Sequence, residues 1–307
     1  MSAENGEAGT TCSRCASCGV AESDNIKLRK CTACYLVKYC GIQCQKEHRP
    51  KHKKECKQRV AKLRDELLFK QPESSHLGDC PICSLPLPLV PEKSTLMTCC
   101  SKVICDGCDY ANHKRENEMR LQHSCPFCRK ATPATIEENY KRNMKRVKMN
   151  DPVAISQEGV KHYDEGDYRS AIECFTKAAE LGNADAHCRL SCMYQLGCGV
   201  EKDGGKFVHH LEEAAIGGHP DARYGLGYHE WHINRNIERA VKHWIIAATQ
   251  GDDSAVKELL SAFRNGDLSK DDLASTLRAH KAAVDATESP QRVLAEKIKQ
   301  INEEAEK

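Results

Sequence analysis

Aromatic residues are scarce in this chain of 307 residues, with five Phe, two Trp and nine Tyr. With 40% hydrophobic residues overall, so low an aromatic content excludes one large aromatic core and favours two or three smaller units. No stretch approaches the roughly 18 consecutive apolar residues of a membrane span. The opening MSAENGEAGTT lacks the basic and then apolar order of a secretory leader. A net charge of only +2 excludes whole-molecule electrostatic attraction to nucleic acid. There is no phosphate-cradling glycine loop and no nucleophile elbow. What the chain does have is 20 cysteines. That density builds disulfides in a secreted peptide and metal sites in a reducing compartment. Without a leader, the expectation is a soluble cytoplasmic or nuclear protein with reduced thiols and bound metal.

Sixteen of the cysteines lie between Cys12 and Cys128, in two groups separated by Lys57 to Leu77. The first group reads Cys15-x2-Cys18, Cys31-x2-Cys34, Cys40-x3-Cys44 and His52-x3-Cys56. Soft ligands paired this closely let one turn of chain present two donors to a tetrahedral zinc ion. Positions four apart share a helical face, so the last two pairs are expected on short helices. The order and spacing, with Tyr39-Cys40 and the run Cys44 to His48 leading to His52, resemble the MYND zinc finger. That resemblance implies interleaved pairing, with Cys15, Cys18, Cys40 and Cys44 on one zinc and Cys31, Cys34, His52 and Cys56 on the other. Cys12 is then a free thiol, and His48 packs or hydrogen-bonds.

The second group reads Cys80-x2-Cys83, Cys99-Cys100, Cys105-x2-Cys108 and Cys125-x2-Cys128, again eight donors for two tetrahedral sites. Cys80-Pro81-Ile82-Cys83 and Cys125-Pro126-Phe127-Cys128-Arg129 resemble the opening and closing of a RING finger. Where most such domains carry a histidine this chain has Lys102, whose ammonium cannot ligate zinc. The adjacent Cys99 and Cys100 substitute, making an all-cysteine variant. The resemblance implies one site of Cys80, Cys83, Cys105 and Cys108 and another of Cys99, Cys100, Cys125 and Cys128. His113 and His123 are the fallback ligands should two adjacent cysteines fail to reach one metal. Four zinc ions per chain follow.

Beyond Cys128 the pattern changes. Ile136, Tyr140, Met144 and Val147 mark an amphipathic helix with a basic outer face, and Asp151-Pro152 restarts the chain as a helix cap and first turn. The phrases around Ala178 to Ala186, Ala214 to Ala222 and Ala247 to Ala255 are versions of one another. Their glycines, Gly182, Gly218 and Gly251, are 36 and 33 residues apart. Such a period signals a solenoid of helix pairs. The turn Leu196-Gly197-Cys198-Gly199-Val200 and these phrases resemble Sel1-like repeats, relatives of the tetratricopeptide class.

The expected fold class is therefore multidomain: two small cross-braced zinc modules, then an all-α helical-repeat solenoid. Its order is a disordered tail over 1–11, a MYND-type finger over 12–58, a helical linker over 59–77 and a RING-type finger over 78–132. A basic linker helix over 133–150, Sel1-like repeats over 151–287 and a charged helix over 288–307 complete it.

Cys188 and Cys192 are expected in core packing, and His229 and His232 in surface or inter-helix contacts. The basic run from Lys46 to Arg59 is read as a solvated helix face, because no aromatic side chains interleave with it for stacking. Every expected metal is ligand-saturated, which excludes a zinc enzyme with an open position. The RING resemblance implies a ubiquitin ligase that docks a ubiquitin-charged conjugating enzyme through Ile82, Pro126 and Arg129, with substrate recruited by the MYND finger and the repeats. The alternative is a non-catalytic adaptor in which every module binds proteins or peptides.

Overall fold

Four short loops shape the cysteine-rich part of the chain, and all four repeat one local geometry. The amide four residues beyond the first cysteine donates to its carbonyl: Gly19 to Cys15 at 2.9 Å, Tyr35 to Cys31 at 3.0 Å, Ser84 to Cys80 at 2.8 Å and Arg129 to Cys125 at 2.9 Å. That residue is left-handed in every case, with φ of 75°, 58°, 56° and 59° respectively. Only Gly19 adopts this without steric cost, so the other three loops each hold strain of about 1–2 kcal/mol. Each first cysteine's own amide donates forward, to the carbonyls of Val20, Val37, Leu85 and Lys130. The chain folds back on itself and brings both thiols of a pair to one point.

This computed structural model describes residues 14–305; Cys12 lies outside them. The chain divides into two compact units, with the division between Lys70 and Gln71. In the first unit β1 (Arg29–Lys30) pairs antiparallel with β2 (Lys38–Tyr39), and α1 (Ile42–Leu68) follows. The short helices and the separate linker helix expected from the spacing are one continuous helix of 27 residues. It runs through Pro50, which lacks the N–H that would bond the carbonyl one turn back. The core of this unit is Cys15, Leu28, Cys31, Cys34 and Tyr39, mostly metal-ligand candidates.

In the second unit β3 (Ser94–Met97) pairs antiparallel with β4 (Lys102–Cys105), in the register Ser94 to Cys105 and Met97 to Lys102. Cys99 and Cys100 occupy the hairpin turn, and α2 (Asp106–Glu118) leaves the second strand. Among the described residues ten further α-helices complete the unit. They are α3 (Ile136–Lys148), α4 (Pro152–Asp164), α5 (Tyr168–Glu180), α6 (Ala184–Leu196) and α7 (Gly204–Ile216). Then come α8 (Pro220–His229), α9 (Ile237–Thr249), α10 (Asp253–Arg264), α11 (Lys270–Ala286) and α12 (Pro290–Ala305).

Local chemistry starts and stops the repeat helices. Asp151, Asp167, Asn183, Asp203, Asn236, Asp252 and Ser269 each accept an amide hydrogen bond from the first turn of the helix they precede. Gly182, Gly218 and Gly251 follow α5, α7 and α9 with φ of 87°, 84° and 98°, the left-handed exit that glycine supplies. Ala178, Ala214 and Ala247 are fully buried, where a methyl group lets neighbouring helices approach. Phe175 with Leu190 and Met193 fills one core, and Trp244 with Leu259 fills another.

The second cysteine-rich segment is held against these helices from several sides. Arg146 of α3 donates from Nε to the Ser101 hydroxyl at 3.3 Å, and α3 is in turn tied to α4 by Asn143, which donates to the Ala154 carbonyl at 3.3 Å. The His76 amide donates to Gly218 at 3.0 Å, and the His76 ring stacks on His219 at 3.9 Å. From α12, Arg292 donates to the carbonyls of Pro86 at 2.6 Å and Leu85 at 3.2 Å and reaches Cys83 Sγ at 3.4 Å. This approach needs Gly107, because a Cβ there would lie 2.7 Å from the Arg292 amide nitrogen. Gly107→Ala is therefore expected to push α12 off α2 and accelerate amide hydrogen exchange over 290–305. Unchanged exchange would show that the two helices tolerate the methyl group.

Candidate metal centres

The donor atoms converge in four sets, each within 4.8 Å: Cys15, Cys18, Cys40 and Cys44; Cys31, Cys34, His52 and Cys56; Cys80, Cys83, Cys105 and Cys108; and Cys99, Cys100, Cys125 and Cys128. In both segments the first ligand pair joins the third and the second joins the fourth. Adjacent Cys99 and Cys100 reach the same point, with Sγ atoms 4.0 Å apart, because they sit in the hairpin turn. His113 and His123 are not part of that set; they gather with Glu116 instead.

The spacings can be tested against zinc. Four sulfurs at 2.3 Å from a tetrahedral ion lie about 3.8 Å apart. The observed separations include 3.6 Å for Cys18 to Cys40, 3.9 Å for Cys31 to Cys56, 3.8 Å for Cys83 to Cys105 and 3.9 Å for Cys100 to Cys125. His52 is buried, with Nε2 3.1 Å from Cys34 Sγ. His48 is not among the donors. Its Nδ1 meets the Tyr39 hydroxyl at 3.1 Å, and its ring stacks on His52 at 5.7 Å.

Electrostatics within the sets fits the same chemistry. Burial opposes ionisation of Cys15, but the amides of Cys18, Cys40 and Ser17 outweigh it and hold the thiol down at about 6. Cys31 is likewise held at about 6 against burial, by the amides of Cys34 and Ala33 and by His52, and Cys80 at about 7 by the amides of Cys105, Cys83 and Ile82. In the fourth set Cys128 is lowered against burial by the Lys130 amide. The other thiols move the opposite way. Hydrogen bonding with Cys44 pushes Cys40 up to about 12, and burial with neighbouring Cys34 pushes Cys56 to about 11. Burial also raises Cys99 and Cys108. Each set thus has a thiol that ionises readily and partners that resist joining it. A divalent cation removes that resistance and leaves four donors around it with no open position.

The residues expected to dock a conjugating enzyme fall differently. Ile82 is 43% exposed between Cys80 and Cys83. Pro126 is buried, so it offers no anchor; its neighbour Phe127, 44% exposed, holds the outward position instead. Spacing alone did not separate these neighbours, because the tight turn decides which of them faces water. Arg129 is exposed, but its guanidinium donates to Asn112 Oδ1 at 3.0 Å.

In the repeats, Cys192 is exposed and Cys188 half-buried, so this pair does not fill the core as expected. The side chain of one faces outward because α6 buries Leu190 and Met193 on the opposite stripe. His229 lies 5.8 Å from the Phe207 ring, and His232 4.2 Å from Tyr228. Among the described residues no helix is long and apolar enough to cross a membrane.

Comparison with known proteins accounts for two parts of the chain. Residues 12–56 match the MYND finger family, and residues 157–183, 184–219 and 220–252 each match the Sel1 repeat. Among solved structures, a Sel1 repeat protein from Oxalobacter formigenes is 30% identical with a TM-score of 0.42. That match covers 48% of this chain and 65% of the other. A protective antigen of uropathogenic Escherichia coli strains displaying an SLR fold is 21% identical with a TM-score of 0.42, over 48% of this chain and 34% of its own. No curated protein matches the chain. It contains a MYND finger and a helical array of Sel1 repeats.

Proposed function

We propose that this chain is a zinc-braced adaptor that joins proteins or peptides to one another, with four structural zinc ions held by the sets described above. The observation that carries this reading is the combination of closed donor sets with apolar side chains left in water. In the first unit Tyr35 is 61% exposed, Leu36 49% and Ile42 68%. A domain this small does not spend three large apolar side chains on solvent for its own stability; such residues mark a binding surface. Ligand-saturated metal has no chemistry to perform beyond holding that surface in shape. The Sel1 repeats supply a second, longer surface, since stacked helix pairs expose one face of every repeat.

Panels of extended apolar peptides, screened for binding by calorimetry, test the first surface. Tyr35→Ala combined with Leu36→Ala is expected to weaken a bound peptide by more than about tenfold, with zinc content unchanged. That corresponds to losing at least about 1.4 kcal/mol at an interface centre. Binding that survives this double variant and is lost on altering the repeats moves the role to the solenoid.

A second reading rests on Ile82. Its exposure at the first loop of the second segment suits a RING-type module that docks a conjugating enzyme. The bond that ties the Arg129 guanidinium to Asn112 and the burial of Pro126 argue for the adaptor. A ubiquitin-discharge assay across a panel of conjugating enzymes separates the two. On the adaptor reading, wild type, Ile82→Ala and Arg129→Ala all match the no-protein control. A ligase shows discharge by the wild type that Ile82→Ala abolishes.

A further inference from the structure

We propose that His113, Glu116 and His123 form a fifth metal site, open rather than closed, that takes a divalent transition-metal ion such as Zn2+ or Co2+. One donor atom from each of the three lies within 4.8 Å of the others. None belongs to the four cysteine sets.

The site is built by two pieces of chain. Asp109, His113 and Glu116 recur at positions i, i+4 and i+7 of α2 and share one helical face. The loop after the helix brings His123 back over that face and is pinned there. Asn112 Nδ2 donates to the Ser124 carbonyl at 3.0 Å, the Leu121 amide to Glu116 at 2.8 Å, and the Thr132 amide to the His123 carbonyl at 2.8 Å. Glu116 is fully buried, and its carboxylate is oriented by the Ser124 hydroxyl at 2.6 Å and the Ser124 amide at 3.3 Å. Its Oε2 stands 3.3 Å from His123 Nδ1. The two imidazoles meet edge to face with centroids 4.8 Å apart, and both remain half-exposed to solvent. An ion can therefore enter from water.

Asp109 adds a fourth group. Its Oδ2 lies 3.7 Å from His113 Nδ1, while its Oδ1 is buried without a hydrogen-bond partner. A carboxylate behind a ligating imidazole fixes the ring's orientation and raises its basicity. Loop-pinning alone accounts for Glu116 and Ser124, but it gives no role to His113 or to the unpartnered oxygen of Asp109. A metal ion gives His113 a role as a ligand and Asp109 a role behind it. Two imidazoles and one carboxylate suit the later divalent transition metals over Mg2+ or Ca2+, which prefer all-oxygen sets. Three protein ligands leave room for water, so the ion should exchange far more readily than one inside four thiolates.

The test uses the full chain freed of loosely held ions by gel filtration, so that only its tightly held zinc remains, its metal content measured first, and then titrated with Co2+. One further equivalent should bind and give visible cobalt absorption without the near-ultraviolet bands of thiolate ligation. His113→Ala and His123→Ala should each weaken that equivalent by more than about tenfold while the tightly held zinc and the circular dichroism stay as in wild type. Both histidines are half-exposed, so these variants test the site without removing the buried Glu116. No further equivalent in the wild type, or one that both histidine variants retain, overturns the proposal. A shortfall in the zinc count before cobalt is added speaks only against the four-site reading.

Discussion

Metal analysis of the purified chain should return four tightly held zinc ions, and a strong chelator should remove them together with the fold of both cysteine-rich segments. The reason lies in what those segments bury. Among the described residues, only Leu28 and Tyr39 join three cysteines in the core cluster of the first, and only Leu87 and Ile104 in that of the second. Two buried side chains supply about 2–3 kcal/mol each, whereas a structural zinc contributes about 10–16 kcal/mol at neutral pH. Without the ion, moreover, the three or four crowded thiols of a set cannot ionise together. Protons compete with zinc for those thiolates, so affinity falls as pH drops through the region near 6 where Cys15 and Cys31 protonate. The repeats should stay helical after chelation, because their cores around Phe175 and Trp244 contain no metal-ligand candidate. Circular dichroism at 222 nm checks this against metal content. Two ions or fewer with an intact fold would defeat the interleaved sites, and helices that melt with the zinc would show that the repeats depend on the segment packed against them.

Trp244→Ala should cost about 3–5 kcal/mol, the range for removing a large aromatic from a packed core. Trp244 is the largest fully buried side chain described, and its indole lies directly against the backbone of α8 at Gly227. A Cβ added at Gly227 would come within 2.3 Å of the indole Nε1. That contact sharpens the prediction. In an exposed helix, alanine stabilises by about 1 kcal/mol over glycine. Here Gly227→Ala should destabilise, since a buried ring beside Trp231, 5.3 Å away, has nowhere to retreat. The urea midpoint of the helical transition measures both variants. A stabilised Gly227→Ala would mean that α8 and α9 do not pack as closely as described.

Much of this molecule is written in local chemistry, which is why spacing reveals it. A two-residue gap between cysteines lets an amide close back onto the first carbonyl, whatever the rest of the chain does. Helix caps such as Asp151 and Asp252, and glycine exits such as Gly218, act within one turn, so the repeats and their period were legible from sequence. The interleaving of ligand pairs came from family resemblance, and the convergence of donors reproduces that pairing.

Tertiary packing decided the rest. Whether Pro126 or Phe127 faces water depends on how the last loop sits on its own segment, and no pattern of residue types marks that choice. That Cys192 faces water and that α1 continues unbroken through Pro50 are likewise not legible, because a spacing of four names a helical face but neither what lies opposite it nor where the helix ends. Gly107 reads as an unremarkable glycine until α12, more than 180 residues later, lies across it. In sequence His113 and His123 stand only as fallback ligands for the cysteine set, and Glu116 carries no signal at all. They become a cluster because α2 aligns two of them and hydrogen bonds from Asn112 to the Ser124 carbonyl and from Ser124 to the Glu116 carboxylate fold the third back, a return of the loop that residue types alone do not mark.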